Sequence, residues 1–199
     1  DITNLRIVGT ASKSGLGYTD GSDYKYLQVA PALSVNVTVT PNVTKSNSLA
    51  QVEVHVSSND QPVYNASVGV TCDSGNLSLA TGNTDLNGIL ALVFNAPETT
   101  VPMNVTIAAT AAKSGYIGNT GQAVVTVEPK LLVVMLEAET GFTLSEGQLR
   151  INAHVEYDAT PVMSANVTLV AEGGSFLFAT ETTDIAGNAT FTFTAPPVS

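Results

Sequence analysis

Pro62–Val70 reads PVYNASVGV, and Pro161–Leu169 reads PVMSANVTL. The same spacing of 99 residues carries Thr84-Asp85-x-x-Gly88 onto Thr183-Asp184-x-x-Gly187, and the FNAP of Phe94–Pro97 onto the FTAP of Phe193–Pro196. His55 and His154 coincide under that shift too. A fixed internal period marks a chain built from copies of one structural unit.

Within each copy, apolar and polar residues alternate over short runs punctuated by Gly, Pro, Asn and Asp, which is the pattern of half-buried strands joined by turns. In the first copy the pattern predicts strands near 33–40, 49–57, 66–72, 76–81, 89–95, 103–111 and 122–128. Because alternate side chains share a face, Val35, Val37, Val39, Val52, Val54, Val56, Leu90, Leu92 and Phe94 are expected to point inward. Seven strands in about a hundred residues fit an immunoglobulin-like sandwich. The Cys–Trp–Cys core of antibody domains is absent, since Trp does not occur and Cys72 is the single cysteine.

The pattern Pro-Val-x-x-Ala-x-Val, then Thr-Asp-x-x-Gly, then Phe-x-Ala-Pro resembles the tandem Ig-like repeats of invasin- and intimin-type bacterial and archaeal surface proteins, over both copies. Its motifs are turn and core positions, so the resemblance implies a fold and says little about activity.

Where the repeats are cut departs from a plain array. Thr110–Gly121, TAAKSGYIGNTG, closes the first copy, and Thr10–Gly21, TASKSGLGYTDG, says nearly the same at the opposite end of the sequence. The second copy, from about Leu131, reaches Ser199, the counterpart of Thr100, and Asp1 aligns with Val101. The expected organisation is therefore residues 1–31 as the last two strands of an Ig-like domain, 32–129 as a complete domain, and 130–199 as a domain lacking its last two strands. Pro31-Ala32 is too short to let the first segment reach far, since one or two residues span less than ~10 Å. Closure between molecules is the expectation. Leu5, Ile7, Ala11, Leu27 and Val29 match inward positions of the first copy and are the expected core contacts of such donated strands. Burying four large apolar side chains at ~1.5–3 kcal/mol each gives on the order of 10 kcal/mol before entropic costs. An open sandwich edge is a template for another chain, and a head-to-tail contact of this kind propagates into a fibre unless its rotation closes a ring.

Asn-x-Ser/Thr occurs seven times, at Asn36, Asn42, Asn65, Asn76, Asn104, Asn166 and Asn188, always with an apolar middle residue. On a strand this puts Asn and the hydroxyl residue on the wet face, as N-glycosylation of a secreted chain requires. No Asp or Glu stands two positions before any of these Asn, which favours an archaeal or eukaryotic surface protein, and the impossibility of internal disulfides favours the archaeal one. Together with the Ig-like units and donated strands, the sequence resembles the archaeal surface filaments called threads and donor-strand pilus subunits. That resemblance implies a glycosylated extracellular polymer, although those subunits usually donate one strand and two are expected here. A two-repeat segment of a long covalent array, an adhesin stalk or surface-layer protein, fits the sequence equally well.

Charge excludes one class of partner. With seven basic residues and a formal net charge of −10, the chain builds no basic patch for nucleic acid. Its longest strongly apolar run, Leu131–Leu136, is far too short for a membrane span, and a leader segment is not apparent, which fits a cytosolic chain or a processed mature form, the sequons favouring the second. No nucleophile and base are spaced for catalysis, so the reading is non-enzymatic, with no cofactor beyond N-linked glycans. His55 and His154 are expected to be solvated strand residues, Cys72 a buried thiol, and Asp85 and Asp184 turn residues. Glu137-x-Glu139 is an isolated acidic pair, Lys13 and Lys113 sit at hairpin tips, and Tyr18, Tyr24 and Tyr26 are the only aromatic cluster a sugar-binding module could use. The expected partner is a further copy of the chain, and adhesion to other cell surfaces is open.

Overall fold

The structure is a computed structural model and describes residues 3–198. The seam between Ser199 and Asp1 lies outside these residues. Nineteen strands and no helix are present among them, and the chain divides into two units, Asp1–Pro129 and Lys130–Ser199. Among the described residues no helix is long and apolar enough to cross a membrane.

The first unit opens with β1 (Thr3–Ala11) and β2 (Gly21–Val29), an antiparallel hairpin whose strands pair only with each other among the described residues. There follow β3 (Ser34–Thr40), β4 (Val43–Lys45), β5 (Leu49–Ser58), β6 (Gln61–Pro62), β7 (Ser67–Cys72), β8 (Asn76–Leu77), β9 (Thr81–Asn83), β10 (Ile89–Asn95), β11 (Met103–Ala112) and β12 (Asn119–Glu128). One sheet runs β3-β5-β10-β8, with β6 beside β5; the other runs β4-β12-β11-β7-β9, with β4 parallel to β12. This is the A-B-E-D and G-F-C strand order of an immunoglobulin-like sandwich. The alternation seen in the sequence fills the space between the sheets. Val52, Val54, Val56 and Phe94 are fully buried from one side, and Val68, Val105, Ile107, Val125 and Val127 from the other. Leu90, Leu92 and Val37 join them, while Val35 and Val39 pack at the margin.

Two strand assignments need correction. The single strand expected at 76–81 is two: β8 pairs with β10 in the first sheet, and β9 pairs with β7 in the second. The chain changes sheets over Ser78–Ala80, where Ser78 accepts a hydrogen bond from Val93 N–H and the Ala80 carbonyl accepts one from Val70. Alternation continues through the crossing, so pattern alone cannot reveal it. Strand β4 was not expected, because Pro41 breaks the run and only tertiary pairing with β12 makes residues 43–45 extended.

The second unit contains β13 (Val133–Ala138), β14 (Gln148–Tyr157), β15 (Thr160–Pro161), β16 (Asn166–Thr168), β17 (Ser175–Phe176), β18 (Thr180–Thr182) and β19 (Asn188–Thr194). Its first sheet, β13-β14-β19-β17 with β15 beside β14, repeats the order of the first unit. Its second sheet is only β16-β18. Six residues form its buried core, against twenty in the first unit. The local frame is nevertheless identical. In each unit a buried threonine ties the turn before its sheet: Thr84 donates to the Val63 carbonyl (2.6 Å) and accepts from Ala66 N–H (2.9 Å), and Thr183 does the same with Val162 (2.6 Å) and Ala165 (2.9 Å).

Candidate functional site

The β1–β2 hairpin reproduces β11–β12 register for register. Thr3 faces Val29 as Met103 faces Val127, Leu5 faces Leu27 as Val105 faces Val125, and Ala11 faces Gly21 as Ala111 faces Asn119. The connecting loop is two residues longer, so β2 aligns with β12 through a shift of 98 and β1 with β11 through a shift of 100. Leu5, Ile7, Ala11, Leu27 and Val29 thus share one face and hold the positions of Val105, Ile107, Ala111, Val125 and Val127, every one of them buried. In the hairpin the same positions are bare: Leu5, Ile7, Leu27 and Val29 are 49%, 59%, 51% and 45% exposed.

One residue of this face was not foreseen. Lys25 lies opposite Ile7, where β12 has Ala123. The two-residue difference in loop length hides this correspondence unless the pairing is known. An inward-pointing charge on an unpaired hairpin opposes indiscriminate edge-to-edge pairing. The other face is polar and aromatic: the Arg6 guanidinium lies 4.6 Å from the Tyr24 ring centre, and Tyr24 meets Tyr26 edge-on at 5.5 Å. Tyr18 stands apart from that pair, with the Lys13 ammonium 4.8 Å over its ring.

The second unit presents the matching deficiency. In the first unit β7 is flanked by β11 and β9, whereas among the described residues β16 pairs only with β18, and it ends three residues earlier than the repeat implies. Residues 142–144, the counterpart of β4, are not a strand, and Phe142 and Leu144 are 85% and 81% exposed. On the inner side of β13, Val134 and Leu136 pair with the buried Val155 and Ala153 yet are themselves exposed. Their counterparts are the partly buried Val35 and the buried Val37. The apolar residues are present. What would cover them is not in this unit.

All seven sequon asparagines are exposed. Their middle residues Val37, Ala66, Val105, Val167 and Ala189 are buried and Leu77 half-buried, but Val43 is exposed because β4 lies at the sheet margin. The Asn65 side chain accepts from Asn83, Asn104 accepts from Thr126, and Asn188 lies 2.8 Å from His154 Nδ1. His55 is exposed; His154 is half-buried against Asn188 and 3.9 Å from Glu156. Cys72 is half-buried, not buried as expected, because it is the last residue of β7 and packs only at the margin of the core. Partial desolvation, and secondarily the Asp73 charge, raise the pKa of its thiol. Asp85 accepts from Asn87 and Ile89 N–H, and Asp184 from Ala186 and Asn188 N–H, with Gly88 and Gly187 at φ +75° and +76° closing the turns. Lys113 donates to the Tyr64 carbonyl. Glu137 and Glu139 are exposed, and no cluster of three or more His, Cys, Asp or Glu placed to hold a metal occurs among the described residues.

No protein-family model matches the chain, and no curated protein matches it in sequence. Solved structures similar to it include the D0-D1 domain of intimin, at 20% identity over 80% of this chain and 83% of that one, with a TM-score of 0.40. The Yersinia pseudotuberculosis adhesin InvE matches at 15% identity over 83% of this chain and 51% of its own, TM-score 0.41. A C-terminal 282-residue fragment of intimin, solved in complex with the intimin-binding domain of the translocated intimin receptor, matches at 19% over 82% and 64%, TM-score 0.43. The Ig-like assignment rests on strand order within the molecule itself.

Proposed function

We propose that this chain is a structural subunit of an extracellular, N-glycosylated surface filament that polymerises head-to-tail, the β1–β2 hairpin of one copy completing the second sandwich of the next. It acts without catalysis or cofactor, and its principal partner is itself. The single observation behind this reading is the pairing of a surplus with a deficit. A hairpin with one bare apolar face carries the strand pair that the open second unit lacks, in the register that the first unit uses to close itself. Extracellular placement is supported by seven exposed sequons on an acidic, single-cysteine chain.

A second reading draws on the 99-residue repeat itself. The chain would then be two units of a covalent tandem array, an adhesin stalk or surface-layer protein, in which the hairpin completes the unit preceding it. The mass of the deglycosylated, denatured native protein separates the two. A band near the 20.5 kDa of this chain selects strand donation, and one many times larger selects the array. For the chain expressed alone, strand donation predicts sedimentation as concentration-dependent polymers, abolished by removing residues 3–29. A monomer at every concentration would refute donation between molecules.

A further inference from the structure

The two repeats differ at several positions, and some of those differences fall in pairs only if β1–β2 are laid against the second unit as β11–β12 lie in the first. In the first unit, the Asp73 carboxylate accepts from Thr106 N–H at 3.0 Å, where the end of β7 meets β11. The counterparts are Glu172 and Arg6, so a neutral position beside an acid becomes a cation beside an acid. Lys45 and Glu128 form an ion pair at 2.8 Å between β4 and β12. The corresponding positions hold Leu144 and Ala30, with both charges removed together. Facing Ala109 and Val70 correspond to Gly9 and Leu169, where a smaller donor meets a larger acceptor. Each exchange spans segments more than a hundred residues apart in sequence. Dropping one charge of the Lys45–Glu128 position alone, or enlarging the Val70 position against an unchanged alanine, would have left a mismatched contact.

We infer, on the strength of the strand-donation reading, that the open edge of the second unit recognises the hairpin of another copy in one register. Strand β1 runs antiparallel to residues 166–171, with Ile7 opposite Ala171 and Ala11 opposite Val167. Strand β2 runs parallel beside residues 142–144. The Arg6–Glu172 pair is the rim contact that fixes this alignment, since opposite charges across an interface select register and penalise slipped pairings. Docking extends β16 to the length of β7 and makes residues 142–144 a strand, as the presence of β12 does for β4.

The test is charge reversal with rescue in the full chain, read as the concentration needed for polymerisation. Arg6→Glu alone and Glu172→Arg alone should each raise it about three- to tenfold, the scale of an exposed pair turned repulsive. The double variant should return to within about twofold of the parent, since a true pair couples the two changes. Both residues are surface-exposed, so neither change threatens folding. If the double variant is additive, or if neither single change has an effect while removal of residues 3–29 still abolishes polymers, the register is wrong and donation stands. If the chain lacking residues 3–29 polymerises like the parent, donation fails and the register falls with it.

Discussion

Strands β11 and β1 carry nearly the same instruction, MNVTIAATA and TNLRIVGTA, and meet opposite fates. Ile107 is wholly buried and Ile7 is 59% exposed. The difference lies entirely in what stands opposite. Strand β11 has β7 and β12 on its flanks and a facing sheet above, whereas among the described residues β1 has β2 alone. A two-stranded hairpin with no layer beneath it is marginal in water. Burial is therefore a property of the assembly in which a strand finds itself, and the contrast can be pressed by mutation.

The largest effect is expected at the paired isoleucines. Ile107→Ala should destabilise the first unit by about 2–5 kcal/mol, the range for a truncated core aliphatic, read as the midpoint of denaturant unfolding. Ile7→Ala should leave that transition unmoved and raise the concentration needed for polymerisation. A loss of first-unit stability at Ile7 comparable to that at Ile107 would erase the distinction drawn between the two hairpins. The threonine shared by the two repeats comes next: Thr84→Val leaves the Val63 carbonyl and Ala66 N–H buried without their partner, a cost of about 1–3 kcal/mol. Thr183→Val in the open unit should cost less in the unassembled chain and approach the same figure in polymers. Hydrogen exchange at Ala165 N–H reports that difference.

Smaller still is the ion pair that one repeat has and the other lacks. Replacing Lys45 and Glu128 together by Leu and Ala, the residues of the second repeat, should change first-unit stability by less than about 1 kcal/mol, as both partners are substantially exposed. The smallest effect concerns Cys72. Burial raises its folded-state pKa above 9.0, so the native protein holds a proton that the unfolded chain releases. Stability should fall slightly as pH rises past the unfolded value, and Cys72→Ala, the residue of the second repeat, should remove that slope. Alkylation of native protein near pH 8 should accordingly be slower than of unfolded protein.

Much of the fold was legible in the residues. The 99-residue shift exposed two copies, and alternation placed Val52, Val54, Val56 and Phe94 in the core without any structure. The crossing at Ser78–Ala80 was not legible, because a strand that changes sheets keeps its period while exchanging partners. Nor was Lys25, which joins the apolar face through a loop-length difference that only the pairing resolves. The half-exposure of Cys72 depends on where β7 ends, which neighbouring strands decide.

By itself, the sequence determined which side chains share a face, since side-chain direction along a strand alternates whatever the surroundings. It also determined that the molecule is assembled from one repeated sandwich. Only tertiary structure decided which of those faces are covered. Leu5 and Val105 obey the same local rule, but covering an apolar face takes a second layer. Whether that layer is in place depends on contacts between distant segments, which local pattern does not encode.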